Sequence, residues 1–78
     1  MSALDDLKSC FVETFDLSDT DPAMLAYHGI PAWDSVGHMQ LIAAIETRFD
    51  IMIETQDILD MSDFRQAVAI VRKYGVDV

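Results

Sequence analysis

The sequence predicts an all-α domain of four helices, three longer and one short, with a long loop between the first two. Apolar residues recur at three- and four-residue spacing in three stretches, each opened by a serine or aspartate able to cap a helix. Ile51 and Ile53 alternate as a strand would, but a segment so short has nothing to pair with, so both are expected as loop residues inserted in the core.

The first helix is expected over 2–15, where Ser2 and Asp5 make a capping box and Leu4, Leu7, Phe11 and Phe15 form one inward face. Cys10 falls inside that pattern and reads as a packed free thiol. The periodicity is lost over 16–34, which contains Pro22, Gly29 and Pro31. There Asp21 and Pro22 suit the start of a short helical turn, and Leu25, Tyr27 and Ile30 tack the loop onto the helices. A second helix is expected over 35–49, capped by Asp34, with Leu41, Ile42, Ile45 and Phe49 on its core face. A short third helix fits 55–61. Ser62 is expected to cap a fourth, with Phe64, Ala67, Val68, Val71 and Tyr74 as its apolar positions and Gly75 as its stop. No internal repeat or second domain is visible, so residues 1–78 read as a single domain.

Composition narrows the function. A chain of 78 residues buries only about 60% of its unfolded surface, which makes a walled-off enzyme pocket hard to build. With 51% hydrophobic and 24% charged residues, no apolar run near the roughly 18 residues of a membrane span and no basic-then-apolar leader, a soluble, cytoplasmic monomer is expected. Fourteen acidic against five basic residues give a net charge of −9, which repels phosphate backbones and argues against nucleic acid as a partner. The single cysteine excludes an internal disulfide and a cysteine zinc cluster.

Two candidate chemistries fail on spacing. A calcium loop starting at Asp16 requires glycine at its sixth position and glutamate at its twelfth, where this chain has Asp21 and Tyr27, so no metal site is expected. Asp34, Ser35 and His38 supply the residue types of a hydrolase triad. There is no glycine-rich oxyanion loop, however, and Asp34 is better used as a cap. At 100° per residue His38 falls at the rim of the core face, as a hydrogen-bonded boundary residue, and His28 receives no role. No catalytic residue and no enzymatic activity are expected.

Ser35 itself fits another task. It opens a helix, where free N–H groups and the macrodipole favour an attached anion by about 0.3–1 kcal/mol. Beside it Val36, Met39 and Ala43 make a second apolar stripe, pointing away from the core face. Either the loop 16–34 folds over this stripe, or it is a docking face that also takes in Gln40 and Glu46. From the residues alone, a helical interaction module without a covalent group would explain the same stripe.

The stretch "WDSVGHMQLIAAIETRFDIMI" resembles the second-helix region of acyl carrier proteins, in which an Asp-Ser-Leu motif carries 4′-phosphopantetheine on the serine. The order of helices and the long loop resemble that family across nearly the whole chain. The resemblance implies an acyl-carrier-like bundle with Ser35 as the attachment point for an arm taken from coenzyme A. It also implies that Asp34 helps a phosphopantetheinyl transferase recognise the serine. The expected partners are that transferase and acyl-activating enzymes, ketosynthases or acyltransferases, in lipid or secondary-metabolite biosynthesis. Gln40, Thr47 and Arg48 stand where acidic residues are usual, Trp33 replaces a small or polar residue and Val36 a leucine. These departures point to a specialised discrete carrier rather than one of primary fatty acid synthesis, and a peptidyl or aminoacyl carrier shares the same arm.

Overall fold

The computed structural model describes residues 2–17 and 21–78. Within them lie four α-helices, α1 (Ala3–Phe15), α2 (Ser35–Phe49), α3 (Thr55–Asp60) and α4 (Phe64–Lys73), and one 3-10 turn, Pro22–Met24. Residues 18–20, part of the oxygen-donor run weighed for calcium, lie outside the described residues.

α1 begins where Ser2 Oγ accepts from Asp5 N–H at 3.1 Å. It buries Leu7, Cys10, Phe11 and Phe15 against α2. Leu4, expected on the same face, is 37% exposed. It belongs to the first turn, and the helix is covered only from Leu7 onward. α1 and α2 end alike: Asp16 (φ 52°) and Asp50 (φ 54°) adopt the left-handed conformation. Leu17 and Ile51 then donate back to the Val12 and Glu46 carbonyls, which satisfies oxygens the helix leaves open.

α2 has the expected bounds and buries Leu41, Ile42 and Ile45, with Phe49 half-buried. After it, Ile53 enters the core and Ile51 packs at its edge, as loop residues. The Glu46 carboxylate fixes this turn by accepting from Ile53 N–H at 2.9 Å. α3 stops at Asp60, one residue short of the expected end.

The cap of α4 is Asp63 rather than Ser62, and its carboxylate accepts from Gln66 N–H at 2.8 Å. Both residue types suit a cap, and tertiary pairing decided between them. The Ser62 carbonyl accepts from Tyr27 N–H at 2.7 Å, and Ala26 pairs with Asp63 in an isolated antiparallel bridge. α4 buries Phe64, Ala67, Ile70 and Val71. Ile70, absent from the expected set, is covered while Val68 is only half-buried, so the stripe is turned slightly from the position the sequence indicated.

Aromatic rings fill the middle of the bundle. Phe11 meets Phe15, Trp33 and Phe64 edge-on at centroid distances of 6.2, 5.4 and 5.2 Å, and Phe15 stacks on Trp33 at 5.3 Å. Such pairs add roughly 0.5–1.5 kcal/mol each beyond the area they bury. Trp33 anchors the end of the long loop, because its indole is fully buried immediately before α2 begins.

Candidate functional site

The N-terminal end of α2 is built by three local decisions. Asp34, extended at φ −104°, turns its carboxylate back to accept from Gly37 N–H at 2.8 Å, as a helix cap should. The Asp34 carbonyl accepts from His38 N–H at 2.7 Å and starts the helical ladder. The N–H groups of Ser35 and Val36, in the first turn, have no intrahelical acceptor. Ser35 is exposed at that end.

Gly37 is required by a close approach. A Cβ there would stand 1.9 Å from the Ala32 carbonyl oxygen and 3.2 Å from the Phe15 ring, so the loop crosses the helix where only glycine leaves room. This crossing presses Ala32 to Asp34 against α2 and brings Trp33 into the core.

His38 is held from both sides. Its Nδ1 accepts from Trp33 Nε1–H at 2.9 Å, so the proton of the neutral ring is on Nε2, which donates to the Ile58 carbonyl at 2.7 Å. The expected hydrogen-bonded boundary histidine is therefore present, and it ties the loop, α2 and α3 together. Neither ring nitrogen is directed to Ser35. The Asp34 carboxylate bonds to Gly37 N–H and not to the His38 ring, whose nitrogens meet Trp33 and Ile58, so the geometry of a triad is missing.

Next to Ser35 stands a residue the sequence had placed only as a loop anchor. The Tyr27 hydroxyl lies 3.2 Å from Ser35 Oγ. Its half-buried ring packs against His28, His38 and, more distantly, Trp33, at centroid distances of 4.1, 5.2 and 6.5 Å. A lone aromatic in a loop gives no periodic signal, and the pairing across eight residues follows from how the loop returns to the helix. Gly37, inside an otherwise helical run, was the one local hint of a close approach.

The second apolar stripe stays open. Val36 is 67% exposed, Met39 54%, and Ala43 and Gln40 are exposed as well, so the described residues of the loop do not fold over it. Glu46 and Arg48 are engaged elsewhere: Glu46 holds the Ile53 backbone, and Arg48 pairs with Asp6 at 3.2 Å and Glu13 at 3.1 Å on α1. Arg48 therefore neutralises carboxylates of the first helix rather than altering the charge of the stripe.

Away from Ser35, Asp57 is 5% exposed and bonds to Lys73 and, at 2.6 Å, to the Tyr74 hydroxyl. The Lys73 ammonium, and then the Tyr74 hydroxyl, hold the Asp57 carboxyl below the usual carboxylate range. The Tyr74 oxygen also accepts from Glu54 N–H at 2.9 Å, so this cluster clamps α3 to the end of α4. Burial pushes the Cys10 thiol up, which keeps it protonated and unreactive.

Comparison with known proteins agrees with this geometry. Neither a protein-family model nor a curated protein matches the chain. Among solved structures, the solution NMR structure of a holo acyl carrier protein from Geobacter metallireducens superposes with a TM-score of 0.80 at 27% sequence identity, covering 95% of this chain and 86% of that one. The chain has the fold of an acyl carrier protein. The shared fold supports a carrier role, in which cargo is presented to enzymes, over a catalytic one. Among the described residues, no helix is long and apolar enough to cross a membrane.

Proposed function

We propose that this protein carries acyl groups as thioesters on a 4′-phosphopantetheine arm attached to Ser35. The observation that supports it most is the exposed Ser35 hydroxyl at the start of α2, behind a capping aspartate, in a bundle superposing on a holo acyl carrier protein. The residues fit the group: the first-turn N–H groups of α2 would favour a phosphodiester on Ser35, and the Asp34 carboxylate is engaged by Gly37 N–H. In the attachment, Ser35 Oγ bonds to the phosphorus of coenzyme A that bears pantetheine. The bond to the departing 3′,5′-adenosine bisphosphate breaks, and the serine proton passes to a base of the transferase. The arm, once in place, supplies the thiol that holds an acyl group.

The partners of this reading are a phosphopantetheinyl transferase and acyl-activating enzymes, ketosynthases or acyltransferases of lipid or secondary-metabolite biosynthesis in the cytoplasm. Val36, Met39, Gln40 and Ala43 are its docking surface. Glu46 has its carboxylate tied to Ile53 and contributes less. The exposed stripe also favours a second reading, a helical interaction module that bears no arm.

Incubation with coenzyme A and a broad-specificity transferase, followed by intact mass, separates the two. The expected result is a single phosphopantetheine addition that Ser35→Ala abolishes. A chain that stays at its unmodified mass, or an addition that persists in Ser35→Ala, would refute the carrier reading of this serine.

A further inference from the structure

We propose that the Tyr27 hydroxyl is a second anchor for the modified serine, donating a hydrogen bond to the phosphodiester and holding the root of the arm against the loop. This rests on attachment at Ser35. The geometry begins with a backbone that leaves Tyr27 little freedom. Its N–H donates to the Ser62 carbonyl at 2.7 Å. Ala26, just before it, pairs with Asp63 at the head of α4, and His28, just after it, adopts φ 66° while its N–H donates to the Trp33 carbonyl at 3.0 Å.

The ring is supported as well. It leans on His38, which is itself fixed through both nitrogens by Trp33 and Ile58, and on the His28 ring. The phenol oxygen is thereby kept 3.2 Å from Ser35 Oγ by a frame that includes the loop, α2, α3 and the start of α4.

In the unmodified chain either hydroxyl can donate to the other. Esterification removes the serine proton, so Tyr27 becomes the sole possible donor of the pair. An ester oxygen is a weak acceptor, whereas the non-bridging oxygens one bond further out are anionic. An O–H donor facing an anionic oxygen makes a hydrogen bond roughly twice as strong as a neutral one. The first-turn N–H groups of α2 approach from the helix side and Tyr27 from the loop side, so the phosphate is held between them.

The test uses holo protein made with coenzyme A and a broad-specificity transferase, with carbon-13 at the tyrosine Cζ. In the wild type, the Tyr27 Cζ resonance is expected to shift between apo and holo forms, and nuclear Overhauser contacts are expected from the Tyr27 ring to the arm protons nearest the phosphate. In Tyr27→Phe, which keeps the ring and its packing, those contacts are expected to vanish and the phosphorus-31 resonance to move towards that of the same serine phosphodiester in the denatured holo chain. A Tyr27 Cζ resonance that is identical in apo and holo wild type, with no ring-to-arm contacts, overturns the inference even if the variant does not fold. An unchanged phosphorus-31 resonance in a folded Tyr27→Phe does so too. Failure of the wild type to gain the arm at all refutes the carrier reading instead, so the two outcomes are distinguishable.

Discussion

Replacing Gly37 with alanine reverses the usual sign of a glycine-to-alanine change in a helix. Within a helix, alanine is ordinarily favoured over glycine by up to about 1 kcal/mol because it restricts the unfolded chain and promotes helix. Here the new Cβ would stand 1.9 Å from the Ala32 carbonyl oxygen, a backbone atom that no rotamer change moves aside. Relief requires the loop to lift from α2, and Ala32 precedes Trp33, whose buried indole sits among Phe11, Phe15 and His38. Forcing such a shift on a packed interior costs about 3 kcal/mol, at the upper end of ordinary overpacking. Subtracting the helix gain leaves a net destabilisation of about 2 kcal/mol, or a fall in Tm of roughly 8–16 °C for a domain of this size. Denaturant unfolding followed by circular dichroism reads the stability, and the rate of transfer from coenzyme A reads the local effect, because the displaced segment ends at the Asp34 cap. A Gly37→Ala protein as stable as the parent, or more so, would refute the close approach of Ala32 and the account of how the loop is held.

The Asp57 cluster predicts an acid limb. A carboxyl held below its usual range contributes stability that is complete above that range and is lost as pH falls through its lowered value, so the fold should weaken on strong acidification. Lys73 is held above its ordinary value by the same bond, so its contribution is complete below the usual lysine range and disappears as pH rises past the raised value. Asp57→Asn should flatten both limbs of a melting-temperature profile against pH, and a profile identical to wild type would exclude the clamp. On the proposed docking surface, Met39→Ala should leave stability within about 0.5 kcal/mol, since the side chain is half in water, while removing up to about 1.5–3 kcal/mol of burial against a cognate enzyme. Glu46→Gln keeps an oxygen for Ile53 N–H and should weaken turnover less. The reverse ranking would place recognition in charge rather than in the apolar stripe.

Much of this molecule is readable along the chain because the deciding interactions are local. The bounds of α2, its Asp34 cap and the burial of Leu41, Ile42 and Ile45 follow from a periodicity and a cap that act within a few residues. So does the Ser2 cap of α1. The same residues place Ser35 at an exposed helix start, which is the whole of the candidate attachment point.

What the sequence left open depends on segments far apart in the chain. Ser62 and Asp63 are equivalent as caps until Tyr27 and Ala26 pair with them across the fold. His38 could be assigned to the rim of the core, but its partners Trp33 and Ile58 belong to a loop and to another helix. Arg48 and Glu46 looked like surface charges on α2, and were committed to Asp6, Glu13 and the Ile53 backbone only when the helices packed. Tyr27 reaches Ser35 because Gly37 admits the Ala32 carbonyl and the loop closes over the helix start. Periodicity reports which face of a helix avoids water, but it carries no information on which distant polar group will meet a given side chain, and that pairing is settled by the packing of the loop against the bundle.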